Sequence, residues 1–197
     1  MTAAMERPTP VPDNQAALDD LVRLLDLEAI EVNIFRGNSP DENRQRVFGG
    51  QVAGQALVAA ARTIDEQGRL VHSLHAYFLR PGDTTIPLLY KVDRIRDGRS
   101  FTTRRVVAIQ HGHAIFSLSS SFQKDEQGLE HAIAMPEGVP SPDDLLTHRE
   151  LVKNFIDQVP ENIRRYWQRE RPIEMKPVSL THYVSREKLP PEQNIWI

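Results

Sequence analysis

Gly49-Gly50-Gln51-Val52-Ala53-Gly54-Gln55-Ala56-Leu57-Val58-Ala59-Ala60-Ala61 is the stretch whose reading decides the fold. Beyond its two opening glycines it consists of helix formers, and Val52, Ala53, Ala56, Leu57, Ala59, Ala60 and Ala61 leave almost no polar face. A helix that is apolar nearly all round is one enclosed by protein. Four strand-like segments follow it with short connections: residues 70–79, 86–95, 101–109 and 114–122. Leu88, Tyr90 and Val92 share one face in the second, and Phe116, Leu118 and Phe122 face one way against Ser117, Ser119 and Ser121 in the fourth. Arg80-Pro81-Gly82-Asp83 has the order expected of a type II turn, and Asp97-Gly98 and His111-Gly112 are hairpin signals. The expected fold is α+β: four consecutive antiparallel strands wrapped around one buried helix.

Upstream, Leu18, Leu21, Val22, Leu24 and Leu25 recur at helical spacing, and residues 29–35 alternate as one half-buried strand. Residues 36–46 read as polar loop. Residues 1–17 carry prolines and charges without an apolar signal core, which predicts a disordered lead and a cytoplasmic chain. Downstream of Lys124, Pro136, Pro140 and Pro142 punctuate a polar linker. Ser141-Pro142-Asp143-Asp144 suggests a helix start, with helix over 143–169 broken at Pro160. Ile195-Trp196-Ile197 reads as the start of a strand with no partner.

Composition excludes several classes of function. The chain has 197 residues and no cysteine, so disulfides, thiolate zinc sites and cysteine nucleophiles are out. A formal net charge of -3 leaves no nucleic-acid footprint. No run approaches the roughly 20 apolar residues of a membrane span. The serines near residue 119 stand in no G-x-S-x-G elbow, which disfavours a serine hydrolase.

The candidate site residues each carry two readings. Gly49-Gly50 at a helix start exposes polarised N–H groups able to hold an anion or oxyanion, or simply permits close packing. Gln51 and Gln55, one turn apart, could orient a carbonyl or a water, or satisfy main chain. His72 and His75 are three apart on a strand, so alternation sends them to opposite faces and argues against a shared metal; either is a general-base candidate or a structural histidine. Arg94, Arg96, Arg99, Arg104 and Arg105 could meet phosphates or mark a solvated strand edge. His111, His113, Asp83 and Asp97 read as turn or surface residues.

Arg46-Val47-Phe48-Gly49-Gly50-Gln51, the helix after it, Val71-His72-Ser73-Leu74-His75-Ala76-Tyr77-Phe78-Leu79-Arg80-Pro81-Gly82-Asp83, Arg96-Asp97-Gly98-Arg99-Ser100-Phe101 and Ser121-Phe122-Gln123 together resemble the acyl-CoA thioesterase II family. The resemblance runs from Leu18 to the C-terminus. It implies a double hotdog, in which two helix-in-sheet domains jointly hydrolyse acyl-CoA to fatty acid and coenzyme A without a cofactor. Residues 18–123 would be the N-terminal hotdog, 124–191 an interdomain linker and 192–197 the opening of a truncated second hotdog. The family's water-activating aspartate, threonine or serine, and glutamine lie in the C-terminal hotdog and match no position here. Gly50, Gln51 and His72 are the positions carried over as facing the shared interior, the first two toward substrate and His72 as the catalytic candidate. The resemblance also implies a homo-oligomer with acyl-CoA as its small-molecule partner. A non-catalytic acyl-CoA-binding or dimerisation module is the competing expectation, and a hotdog hydratase is disfavoured because no Asp-His dyad spacing is recognisable.

Overall fold

A computed structural model describes residues 15–40, 45–66, 68–158, 161, 164, 167–185 and 187–197. Asp20–Glu130 forms one compact unit, and His131–Ile197 belongs to a second. Helix α1 (Gln15–Leu25) enters the first from Asp20 onward, followed by strands β1 (Glu28–Glu31) and β2 (Ile34–Gly37) and helix α2 (Gly49–Ala61). Strands β3 (Arg69–Phe78), β4 (Leu88–Asp97), β5 (Phe101–Gln110) and β6 (His113–Lys124) complete it. All pair antiparallel in one six-stranded sheet of order β1-β2-β4-β5-β6-β3.

The expected helix-in-sheet architecture is present, and α2 is its centre. Val52, Ala56, Ala59 and Ala60 are buried against Leu88, Tyr90, Val92, Val106, Ala108, Phe116 and Leu118 from the sheet's inner face. Alanine allows helix and sheet to approach closely, while each large apolar side chain so enclosed contributes about 1.5–3 kcal/mol. Burial alternates along β4 with the period of two read from the sequence, and the structure shows the same period along β5. The His111-Gly112 turn has φ of 49° and 75°, the left-handed pair of a type I′ hairpin whose twist matches its strands.

Several expectations are corrected. Residues 29–35 are not one strand: Asn33 takes φ 61°, a conformation asparagine tolerates, and folds the segment into the β1–β2 hairpin. The four strands after α2 are not four neighbours in sequence order, because β3 lies at the sheet edge beside β6 while β4 sits between β2 and β5. Residues 79–87 therefore cross between distant strands, and Gly82 is outside the positive-φ region a type II turn needs. Its lack of a side chain serves packing: a Cβ there would lie 3.0 Å from Val47 Cγ2. Residues 15–17 of the expected lead form the first turn of α1; residues 1–14 of the lead, 41–44 of the 36–46 loop, and Pro160 lie outside the described residues.

In the second unit, Ser141 caps only a 3₁₀ turn, Pro142–Asp144. Within the expected helix over 143–169 lie α3 (His148–Phe155), begun by a reciprocal capping box between Thr147 and Glu150, and, beyond Pro160, the helical residues Glu161, Arg164 and Trp167. The terminal strand does have a partner: β8 (Ile195–Trp196) pairs antiparallel with β7 (Lys176–Pro177). No helix among the described residues is long and apolar enough to cross a membrane.

Candidate functional site

Helix α2 starts without a side-chain cap. Phe48 occupies the N-cap position in an extended conformation and makes no side-chain cap; its carbonyl accepts the Val52 N–H at 3.3 Å, the first bond of the helix. An open cleft of about 370 Å³ lies at this end. Its bed is apolar, from Val47, Val52, Phe78, Leu79, Ile115 and Phe116; Arg46 and Arg80 flank it, and Gly49, Pro81 and Gly82 complete the walls. Phe78 and Phe116 pack with ring centroids 5.0 Å apart at the edge of this bed. A side chain at either opening glycine would need a neighbouring ring to move. A Cβ at Gly49 would fall 2.8 Å from the Phe78 ring, and one at Gly50 2.5 Å from the Phe48 ring.

Gln51 and Gln55 share a helix face as expected, and both are buried. Their amides are engaged with main chain. Gln51 Nε2 donates to Asn38 O at 3.0 Å and Ser39 Oγ at 3.2 Å, while Gln55 Nε2 donates to Leu24 O at 2.7 Å and Asn38 O at 3.1 Å. Gln55 Oε1 accepts from the Tyr90 hydroxyl at 2.7 Å. Burial raises the Tyr90 pKa, keeping the phenol a neutral donor. Together these bonds moor α1 and the 38–39 segment on α2.

The histidines correct the alternation expectation. Val71 pairs Phe122 and Ser73 pairs Ser121, so β3 bulges at His72 and the side-chain parity shifts by one. His75 pairs Ser119, on the same outward face as Ser121, and His72 Nε2 shares a 2.8 Å hydrogen bond with Ser121 Oγ. His72 and His75 thus lie on one face, the one turned away from α2. His72 rests edge-on against Phe101, and His75 against Tyr77. Phe78 stands six residue steps beyond His72, roughly 20 Å along β3. The structure therefore does not bring His72 together with Gly50 and Gln51. Among the described residues no group of three or more His, Cys, Asp or Glu is placed to hold a metal.

The arginine cluster is also rearranged. Arg104 points inward and is wholly buried, bonded to Thr63 and to Asp97 Oδ1 at 2.6 Å, so it is no edge residue. Arg94 pairs with Asp65 and Arg105 with Asp93. Asp83 behaves as the turn former expected: Oδ1 accepts from the N–H and hydroxyl of Thr85. The cleft wall residues Leu79, Ile115 and Val47 carried a signal that was available, since all flank glycine or proline punctuation, but only the crossover of β3 to β4 makes them neighbours.

A family model for the acyl-CoA thioesterase N-terminal domain matches residues 39–123, the span that holds α2, β3–β6 and every residue of the cleft. Residues 39–123 belong to the acyl-CoA thioesterase N-terminal domain family. The chain is 41% identical over 179 residues to acyl-CoA thioesterase 2 of Haemophilus influenzae, covering 91% of this chain and 62% of that protein. An acyl-CoA thioesterase II, TesB2, from Mycobacterium marinum superimposes with TM-score 0.53 at 48% identity, over 64% of this chain and 47% of that one. A hot dog fold protein from Alicyclobacillus acidocaldarius matches at TM-score 0.56 and 22% identity, over 65% and 48% of the two chains, which supports the fold. The thioesterase N-terminal domain is thus a hotdog, as expected, in a chain that spans 62% of its Haemophilus relative's length.

Proposed function

We propose that this chain is the N-terminal hotdog of an acyl-CoA thioesterase, hydrolysing fatty acyl-CoA to free fatty acid and coenzyme A together with a second hotdog domain. The observation that carries the reading is the apolar cleft at the uncapped start of α2, inside the segment matched by the thioesterase model. Its bed suits an acyl chain, each buried methylene contributing about 0.8 kcal/mol. Gly49 lines the cleft at the start of the helix, and the positive polarisation of that end suits the charge that develops on a thioester oxygen when water attacks. Collapse of that tetrahedral species expels the coenzyme A thiolate and leaves the acid.

None of the cleft's lining residues is Asp, Glu or His. A water at neutral pH needs a base to become a competent nucleophile, so the water-activating group belongs to the second hotdog. We place the contact with that second hotdog at the outer edge of β3. Among the described residues this edge has no strand partner over ten residues, and Leu70, Leu74, Tyr77, Phe78 and Leu79 are exposed along it. A long apolar edge is a template for another chain, and for the 197-residue chain alone the available partner is a second copy.

The deciding experiment measures acyl-CoA binding and coenzyme A release by the purified chain, with His72→Ala alongside. Binding with turnover near background in both proteins is the expected result. Robust turnover by the chain alone, abolished by His72→Ala, would overturn the reading and move the chemistry to the outer sheet face. Light scattering checks the edge: a dimer that Leu74→Lys converts to a monomer is expected.

A further inference from the structure

We infer that Gln110 is a positioning residue for the cleft, its side-chain amide fixing the segment 79–87, whose residues 79–82 form one wall of the cleft; what that cleft binds rests on the function proposed above. Gln110 ends β5 and is 4% exposed. Its Oε1 accepts the Asp83 N–H at 2.8 Å, and its Nε2 donates to Asp83 O at 2.9 Å and Ile86 O at 3.0 Å, with a longer approach to Pro87 O at 3.4 Å. Residues 79–87 run between strands that are not neighbours, so no ladder satisfies their main chain. One buried carboxamide supplies both an acceptor and donors in place of a missing strand.

The wall is tied on its other side to the start of α2. Gly82 O accepts the Val47 N–H at 3.0 Å, and Val47 stands two residues before Gly49. Leu79 and Arg80 N–H groups both donate to Ile115 O, at 2.9 and 3.1 Å. The path from Gln110 through Asp83, Gly82 and Val47 to Gly49 is therefore continuous in hydrogen bonds and covalent bonds. Gln110 does not line the cleft, so it acts through this wall. The chemistry demands an amide rather than a carboxylate, because glutamate would bring no donor to the carbonyls of Asp83 and Ile86 and would set negative charge against them.

The test uses the full chain with Gln110→Glu, Gln110→Met and Gly82→Ala, reading palmitoyl-CoA affinity and residue-resolved amide exchange. Losing these buried bonds should speed exchange at Val47 and Asp83 and weaken palmitoyl-CoA binding by about tenfold, with exchange at Leu118 in β6 unchanged. Wild-type affinity and unchanged Val47 exchange in Gln110→Glu would overturn the inference, as would exchange rising equally at Leu118, which marks a general stability role. Should both Gln110 variants fail to fold, Gly82→Ala decides by disturbing the wall from the Val47 side: affinity falling with Leu118 protected supports it, unchanged affinity overturns it. A wild-type chain that binds no palmitoyl-CoA overturns the proposed function, while Val47 exchange still decides the role of Gln110.

Discussion

Arg104 Nη2 lies 2.6 Å from Asp97 Oδ1, with the arginine side chain 0% and the aspartate side chain 58% exposed. A carboxylate so open to water cannot by itself offset the desolvation of a buried guanidinium. The remaining donors go to neutral acceptors: Nε to Thr63 Oγ1, Nη2 to Thr63 O, and Nη1 to the carbonyls of Arg96 and Thr103. Thr63 follows α2 directly, so the planar fork of Arg104 fastens the end of the central helix to the β4–β5 hairpin.

Unequal costs follow from that asymmetry. Arg104→Met removes the donors from several buried acceptors and should destabilise the chain by about 3 kcal/mol or more. Asp97→Asn keeps an acceptor beside the guanidinium and should cost about 1 kcal/mol or less. Urea unfolding of both variants measures the difference, and equal losses would mean that the ion pair, not the neutral acceptors, holds Arg104.

Gly49 and Gly50 should separate function from stability. Replacing either by alanine in a helix gains about 1 kcal/mol of helix propensity. At Gly49 the added methyl meets the Phe78 ring, part of the cleft bed, whereas at Gly50 it meets Phe48, which is 60% exposed and can swing aside. Gly49→Ala should therefore weaken acyl-CoA binding several-fold with little change in melting temperature, and Gly50→Ala should leave binding near wild type. Calorimetric titration with acyl-CoA checks the order; a larger loss in Gly50→Ala would point to its N–H rather than to the bed.

These contrasts show how far the sequence could be read. The buried α2 and the alternation in β4 and β6 were legible because each is a local period impressed by one apolar surface. The position of β3 was not, since strand order depends on which edge the 79–87 segment reaches, and no residue in it signals direction. The bulge at His72 was equally hidden: a single extra residue reverses side-chain parity without changing the pattern of residue types. Arg104 looked like its exposed neighbours because only the fold supplies Thr63 as its partner. The capping box at Thr147-His148-Arg149-Glu150, by contrast, is a T-x-x-E signature that was available in the sequence and marks the true start of α3.

Tyr90 gives a prediction at alkaline pH. Its hydroxyl donates to Gln55 Oε1 inside the core, and burial raises its pKa. In the unfolded chain a tyrosine ionises near 10. Because the folded value is higher, the associated stability is complete below about pH 10 and is lost as the pH rises beyond it. Urea stability should thus fall more steeply between pH 9 and 11, about 10, for wild type than for Tyr90→Phe. Identical slopes would mean that Tyr90 ionises as readily folded as unfolded. At neutral pH the same variant leaves Gln55 Oε1 without its donor and should cost about 1–2 kcal/mol.

Asp83 makes the opposite prediction in acid. Hydrogen bonds from the Thr85 hydroxyl and N–H, with His111 nearby, stabilise its charged form and lower its pKa. An unfolded aspartate titrates near 3.9. The contribution of this turn is therefore present above about pH 4 and disappears as the pH falls through the lower folded value. The turn follows directly on Gly82 of the cleft wall and is bonded to Gln110, so exchange at the Thr85 and Val47 amides should rise together over that acid range. A carboxyl-carbon NMR titration reads the group directly: its midpoint should lie below that of free aspartate and move back toward it in Thr85→Ala. A midpoint unmoved by Thr85→Ala would show that the two Thr85 bonds do not set the charge state of Asp83.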